Sequence, residues 1–253
     1  MTNSKVPVNN AVAGSIAPLK NVAIFTELTE RVVRRDPNLP GFGIFSGWSG
    51  LGKTRSAIYA ANKYQASYVE VGESWTKRKF VDALMQSIGL PLRPATIADK
   101  IDEIIEALVM QDRPLIIDEA DFIFKKKYHE TVREIHDKSN VPVILIGEEN
   151  LPQTIAQTSE RFHNRVLVWS QAQPLDNEDA HHLARLYCPN VEIEAELFAR
   201  LMQASHGRAR RLCVNLTNVR ERANSLGIAV ITEKEWGDAP LFDGRPPAIR
   251  RAA

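Results

Sequence analysis

Cysteine is nearly absent: Cys188 and Cys213 are the only two in 253 residues. Two thiols so far apart exclude a disulfide framework and a cysteine-based zinc site, and they fit a reduced compartment. Excess charge of either sign is missing as well. The 32 Lys and Arg residues oppose 31 Asp and Glu, leaving a formal net charge of +1. No global basic field exists, so any contact with nucleic acid must come from local clusters. No apolar run approaches the roughly 18 residues that a membrane-spanning helix needs, and the N-terminus has no signal-peptide pattern. Neither membrane contact nor secretion is expected, and a cytoplasmic location is. Internal repeats are also lacking. What is present is ordinary for a soluble globular chain, and the length suits one large α/β domain or a core with a small appendage.

The most informative segment is Gly47-Trp48-Ser49-Gly50-Leu51-Gly52-Lys53-Thr54, which reads G-x-x-x-x-G-K-T. It follows the apolar run Gly43–Ser46 and opens a helical segment, the context that separates a phosphate loop from a chance match. Glycines let backbone N–H groups turn inward around phosphate oxygens, and the positive end of the helix dipole adds to that attraction. Lys53 supplies a point charge for the β- and γ-phosphates, and the Thr54 hydroxyl can ligand Mg²⁺. The pattern predicts a bound nucleoside triphosphate, with Mg²⁺.

A second motif, Pro114-Leu115-Ile116-Ile117-Asp118-Glu119-Ala120-Asp121, is an apolar strand ending in carboxylates. Asp118 is expected to hold the metal's water shell and Glu119 to polarise the attacking water. In-line phosphoryl transfer needs that arrangement, because the protein's task is positioning and charge compensation. Hydrolysis is expected, and not binding alone.

Periodicity predicts helices over Val22–Arg35, from the phosphate loop to about Gln65, and over Thr76–Ile88, Ile97–Met110 and Tyr128–His136. Strands are expected at Tyr68–Val71, Leu115–Asp118, Val143–Ile146 and Val166–Trp169, besides the one before the phosphate loop. Strands alternating with helices imply a mostly parallel five-stranded sheet covered on both faces. The acidic strand is third in sequence, so an extra strand separates the two motifs. After Pro174 the pattern turns to helices only: Asn177–Tyr187, Glu194–Ser205, Arg208–Ser225 and a short start at Thr232. The expected organisation is a flexible arm over 1–20, an α/β nucleotide-binding core over 21–173, a helical lid over 174–243 and a flexible tail over 244–253. His181 and His182 form no metal pattern with nearby acids.

This motif order followed by a helical lid resembles the AAA+ ATPases. The resemblance implies a lid arginine that reports on the nucleotide, for which Gly207-Arg208-Ala209-Arg210 offers Arg210. It also implies an arginine finger reaching into a neighbouring subunit, and Glu160-Arg161-Phe162-His163-Asn164-Arg165 offers Arg161 and Arg165, with Arg161 preferred. The polar sensor after the fourth strand falls within Glu148-Glu149-Asn150, and the sequence does not choose among them.

Within that class the chain is similar to the DNA-transposition group that includes MuB, TniB and TnsC. The similarity spans roughly residues 20–225. It rests on Gly50-Leu51-Gly52-Lys53-Thr54, on Glu73-Ser74-Trp75-Thr76 before a helix ending Ile88-Gly89-Leu90, on Ile117–Asp121, and on Asn140–Gly147 with Leu151. It implies an ATP-dependent protein of a bacterial host cell that assembles as a homo-oligomeric filament or ring on double-stranded DNA. It would select target DNA, activate a transposase and leave on hydrolysis. Candidate DNA contacts are Lys77, Arg78 and Lys79, beside Trp75, and Lys125, Lys126 and Lys127. Clusters of this kind meet phosphates without reading bases. A helicase loader of the DnaC and IstB type, or a protein-directed signalling switch that binds no DNA, would share the nucleotide motifs.

Overall fold

The computed structural model describes residues 17–246. They divide into an α/β unit, Lys20–Pro174, and a second unit made of the chain from Leu175 onward together with residues 17–19.

In the α/β unit the elements run α1 (Lys20–Val33), β1 (Phe42–Ser46), α2 (Lys53–Tyr64), β2 (Ser67–Glu70), α3 (Lys77–Ile88), α4 (Ile97–Gln111) and β3 (Leu115–Asp118). There follow α5 (Asp121–Lys125), α6 (His129–Ser139), β4 (Val143–Gly147), α7 (Leu151–Thr158), α8 (Glu160–His163) and β5 (Val166–Gln171). The five strands are parallel in the order β2-β3-β4-β1-β5. Every residue of β1, β3 and β4 is buried, as expected of inner strands covered on both faces. The period-2 alternation of a strand then sorts the side chains between two cores. Phe45, Ile116, Ile144 and Ile146 meet α1 and α2 on one face. Ile44, Ile117, Val143 and Leu145 meet α3, α4 and α6 on the other. The edge strand β5 is only partly buried, and Trp169 is exposed on it.

Local chemistry sets the helix ends. The Thr76 hydroxyl accepts from the Lys79 N–H at the start of α3, and Thr96 and Asp99 form a reciprocal capping box at the start of α4. Away from the strand ends, Lys100 on α4 is buried, and its ammonium meets Asp82 on α3 at 2.5 Å.

The second unit contains α9 (Asn177–Tyr187), β6 (Glu192–Ile193), α10 (Ala195–Ser205), α11 (Ala209–Leu226), β7 (Val230–Ile231) and α12 (Glu233–Trp236). Its core is built from Leu197, Leu201, Leu212, Leu216, Val219 and Trp236. The expectation of helices only is corrected here, because β6 and β7 pair as a two-stranded parallel sheet. Each strand has two residues, too short to carry a periodic signal. Residues 1–16 of the expected flexible arm lie outside the described residues. Of the rest, Ala17 and Leu19 pack against the second unit's core, and Lys20 opens α1. The expected tail lies outside the described residues beyond Pro246. Among the described residues no helix is long and apolar enough to cross a membrane.

Candidate active site

Parallel strands that diverge in connection leave a crevice at their C-terminal ends, and ligands of open α/β sheets bind there. The loop Gly47–Gly52 leaves β1 at that edge, between β4 and β5, and runs into α2. Gly52 stands just before α2 at φ +90°, a left-handed conformation that side chains rarely adopt. The Lys53 ammonium lies across the loop and donates to the carbonyls of Gly47 and Trp48. Burial lowers its pKa, while the carboxylates of Asp118, Glu119, Asp121 and Glu148 pull it back up. An ammonium held between a glycine loop and four acids is a cation set to receive phosphate.

Asp118, at the end of β3, is 2 % exposed and accepts three hydrogen bonds. Its Oδ2 takes the Thr54 hydroxyl at 2.8 Å and the Tyr68 hydroxyl at 3.0 Å, and its Oδ1 takes the Glu119 N–H at 2.9 Å. Tyr68 comes from β2, the neighbouring strand, where it is paired in register with Ile116. Burial and the Asp118 carboxylate push the Tyr68 phenol well above its ordinary range, so it is a fixed donor. Glu119 adopts φ +56°, the left-handed region again, and is half-buried. Burial first, then the neighbouring Asp118 and Asp121, raise its carboxyl above the usual range. A carboxylate made more basic in this way suits the polarisation of a water molecule.

The end of β4 closes the site. Asp121 is buried and its Oδ2 accepts the Glu148 N–H at 2.8 Å. Gly147 allows that approach, since a Cβ there would lie 2.3 Å from the same oxygen. Backbone bonds from Ala120 to Ile146 and from Gly47 to Gly147 complete the seam between β3, β4 and the phosphate loop. Among the three sensor candidates, Glu148 is thus fixed through its backbone, while the Glu148, Glu149 and Asn150 residues are all exposed.

The other sequence-derived candidates fall in several places. Arg161 is exposed on α8 and has no hydrogen bond or ion pair among the described residues. Arg165 is committed elsewhere: its Nε and Nη2 meet the two Asp137 carboxylate oxygens at 3.1 and 3.2 Å. Arg210 is exposed in the first turn of α11, in the second unit. Lys77, Arg78 and Lys79 are exposed in the first turn of α3. Arg78 donates to the Ala95 carbonyl, and the Lys79 ammonium lies 5.6 Å from the Trp75 ring. Lys125, Lys126 and Lys127 are exposed at the end of α5, with Lys125 over the Phe122 ring. Phe80 and Tyr128, the residues directly after the two triads, meet in a tilted ring contact with centroids 5.2 Å apart.

Tyr68 was hidden in the sequence as an ordinary strand residue. Only the placement of β2 beside β3 reveals it. Asp121 was visible in the acidic motif, but its bond to Glu148 depends on the glycine at 147.

Comparisons with known proteins agree with this geometry. Residues 35–155, which hold both nucleotide motifs, match the family model of the AAA domain. A comparison with curated protein sequences finds no match. Among solved structures, the Aeropyrum pernix ORC2 protein in ADPNP–ADP complexes is similar at 15 % identity with a TM-score of 0.60, covering 88 % of this chain and 68 % of that one. The A. pernix ORC1 protein in complex with DNA is similar at 17 % identity and 0.62, covering 90 % and 66 %. Cdc6p from Pyrobaculum aerophilum is similar at 14 % and 0.61, covering 92 % and 68 %. At such identities the likeness is one of fold. With the family match over both motifs, it gives the α/β unit the AAA+ P-loop ATPase fold.

Proposed function

We propose that this ATPase binds double-stranded DNA without reading its sequence, assembles on it as a homo-oligomeric filament, selects target DNA and activates a transposase, with ATP hydrolysis driving release. The observation that carries the DNA part is the exposure of two basic triads, each followed directly by a buried aromatic residue, Phe80 and Tyr128, whose rings touch. Lys77, Arg78 and Lys79 occupy the first turn of α3, where the helix dipole is positive. Cations there cost the fold energy instead of stabilising it. An approaching polyanion reverses that cost, and the α3 backbone N–H groups add to its attraction. If all six cations neutralise phosphates, the log–log salt slope is about −5. The order and spacing of motifs shared with MuB, TniB and TnsC support the transposition part.

Within the site, Lys53 and the loop N–H groups hold the phosphates and Glu119 accepts the proton of the attacking water. Arg161, which has no ion pair among the described residues, reaches the nucleotide of the next subunit. Thr54 Oγ1 and Asp118 Oδ2, 2.8 Å apart, are two hard oxygen donors and fit Mg²⁺. When bound, the ion would supply charge compensation at the phosphate oxygens. Arg210 is the lid arginine that senses the nucleotide.

The test is binding to random-sequence duplex DNA with ATP, with ADP, and with the Lys53→Ala variant, followed by imaging of the complexes. Cooperative filaments with ATP alone, lost in Lys53→Ala, are expected. Absence of DNA binding in every nucleotide state would refute the proposal and favour a protein-directed switch or a helicase loader.

A further inference from the structure

Asn21, the second residue of α1, is a polar side chain only 3 % exposed. Its carboxamide nitrogen donates to the carbonyl of Leu51 at 2.9 Å and to that of Gln173 at 2.8 Å. Its carboxamide oxygen accepts the Gln173 N–H at 2.8 Å. Two donated bonds and one accepted bond from one planar group are within reach of a primary amide. A carboxylate has no hydrogen to give, and an ammonium has no lone pair.

The partners give this staple its interest. Leu51 lies in the phosphate loop. Gln173 lies in the connector between β5 and Pro174, the last residue of the α/β unit. The same connector touches the start of the loop twice. The Ala172 N–H donates to the Ser46 carbonyl at 2.8 Å, and a Cβ at Gly47 would come within 2.9 Å of the Ala172 methyl. Those contacts hold the loop's first residues. Asn21 hydrogen-bonds both its middle and the connector. One residue further along the chain, the Leu175 N–H donates to the Gly207 carbonyl, three residues before Arg210.

We infer that Asn21 is a positioning residue that couples occupancy of the phosphate loop to the connector at residues 172–174, and through it to the chain that enters the second unit. A bound phosphate fixes the loop backbone. With Leu51 fixed, both Gln173 bonds are fixed, because the buried carboxamide cannot leave one partner without stranding the other. Loop and connector therefore order together. The side chain itself does not contact the nucleotide: both of its amide hydrogens are already in use.

The inference rests on nucleotide binding at the loop, and hydrogen exchange of the full chain tests the two separately. Exchange is compared without nucleotide and with a non-hydrolysable ATP analogue, in peptides spanning 47–54 and 171–176. The parent should be protected in both. Asn21→Ala should keep protection in 47–54 and lose it in 171–176, where the ratio of rates falls to unity. Persistent protection of 171–176 in that variant would overturn the coupling. Absence of protection at 47–54 in the parent would remove the nucleotide reading, and the coupling with it. Asn21→Asp carries the test if the alanine variant fails to fold. Its ionised form can still accept from Gln173 but donates to neither carbonyl, and protonation returns one donor. Coupling in Asn21→Asp should therefore recover as the pH is lowered, while the parent's does not change. A loss independent of pH in that variant would reduce Asn21 to a packing residue and refute the inference.

Discussion

Tyr68→Phe removes a single oxygen from the active site and tests how Asp118 is held. Asp118 has three donors, but they are not equivalent. The Glu119 N–H belongs to the backbone, and the Thr54 hydroxyl has a second task as a metal ligand. Tyr68 is then the one side chain dedicated to Oδ2. A hydrogen bond to an ionised group contributes about 1.5–3 kcal/mol. Deleting the phenol also removes a hydroxyl that was itself desolvated, so the net loss is about 1–2 kcal/mol. At about 1.4 kcal/mol per tenfold, kcat for ATP hydrolysis should fall roughly 5–30-fold. Nucleotide affinity should stay within about threefold, since Lys53 and the loop are untouched and that limit corresponds to well under 1 kcal/mol. The same loss should lower Tm by about 2–8 °C for a chain of this size. Steady-state hydrolysis, equilibrium nucleotide titration and thermal unfolding read the three quantities. A lower Tm with unchanged kcat would mean that the phenol serves only the fold. Equal losses of affinity and kcat would place its effect on binding instead.

The inner strands were legible because parallel strands covered on both faces read as unbroken apolar runs: β1, β3 and β4 are all of this kind. The phosphate loop and Asp118-Glu119 were legible because their chemistry imposes spacing within one short segment. The features that escaped depend on distant partners. Tyr68 reaches Asp118 over 50 residues, and Asn21 reaches Gln173 over 152. Neither can be read without the strand order. The β6–β7 pair joins residues 192–193 to 230–231 with two-residue strands. The helices α5, α7 and α8 were missed as well, each being too short to establish a 3.6-residue period clearly. Arg161 and Arg165 look alike in sequence, and Asp137, on another helix, is what separates them.

Two further predictions concern the chemistry of the site. Burial and the neighbouring acids raise the Glu119 carboxyl, so hydrolysis should decline on acidification with a midpoint above the ordinary carboxylate range. Glu119→Gln should keep ATP binding, lower turnover by about 100-fold or more and prolong the ATP-bound oligomers on DNA. The raised pKa means that the folded chain carries an unfavourable ionised carboxylate at neutral pH. Glu119→Gln should therefore raise Tm there, and the gain should shrink as pH falls through the folded Glu119 pKa, where the parent's carboxyl is neutral too. No pH-dependent difference in Tm would contradict the strain assigned to this carboxylate. The two arginines should part company in the same assays. Arg165 is tied to Asp137 in a partly exposed pair, so Arg165→Ala should cost less than about 1 kcal/mol of stability and leave turnover near the parent's. Arg161 has no such partner among the described residues, so Arg161→Ala should leave Tm unchanged while turnover falls about 1000-fold, the usual scale for a finger. The subunit that loses the arginine and the subunit that loses activity are then different molecules. Mixing Arg161→Ala with Lys53→Ala should consequently restore hydrolysis, because an intact Arg161 meets an intact Lys53 at some interfaces. Two inactive variants that stay inactive when mixed, although they co-assemble, would show that Arg161 does not act across subunits.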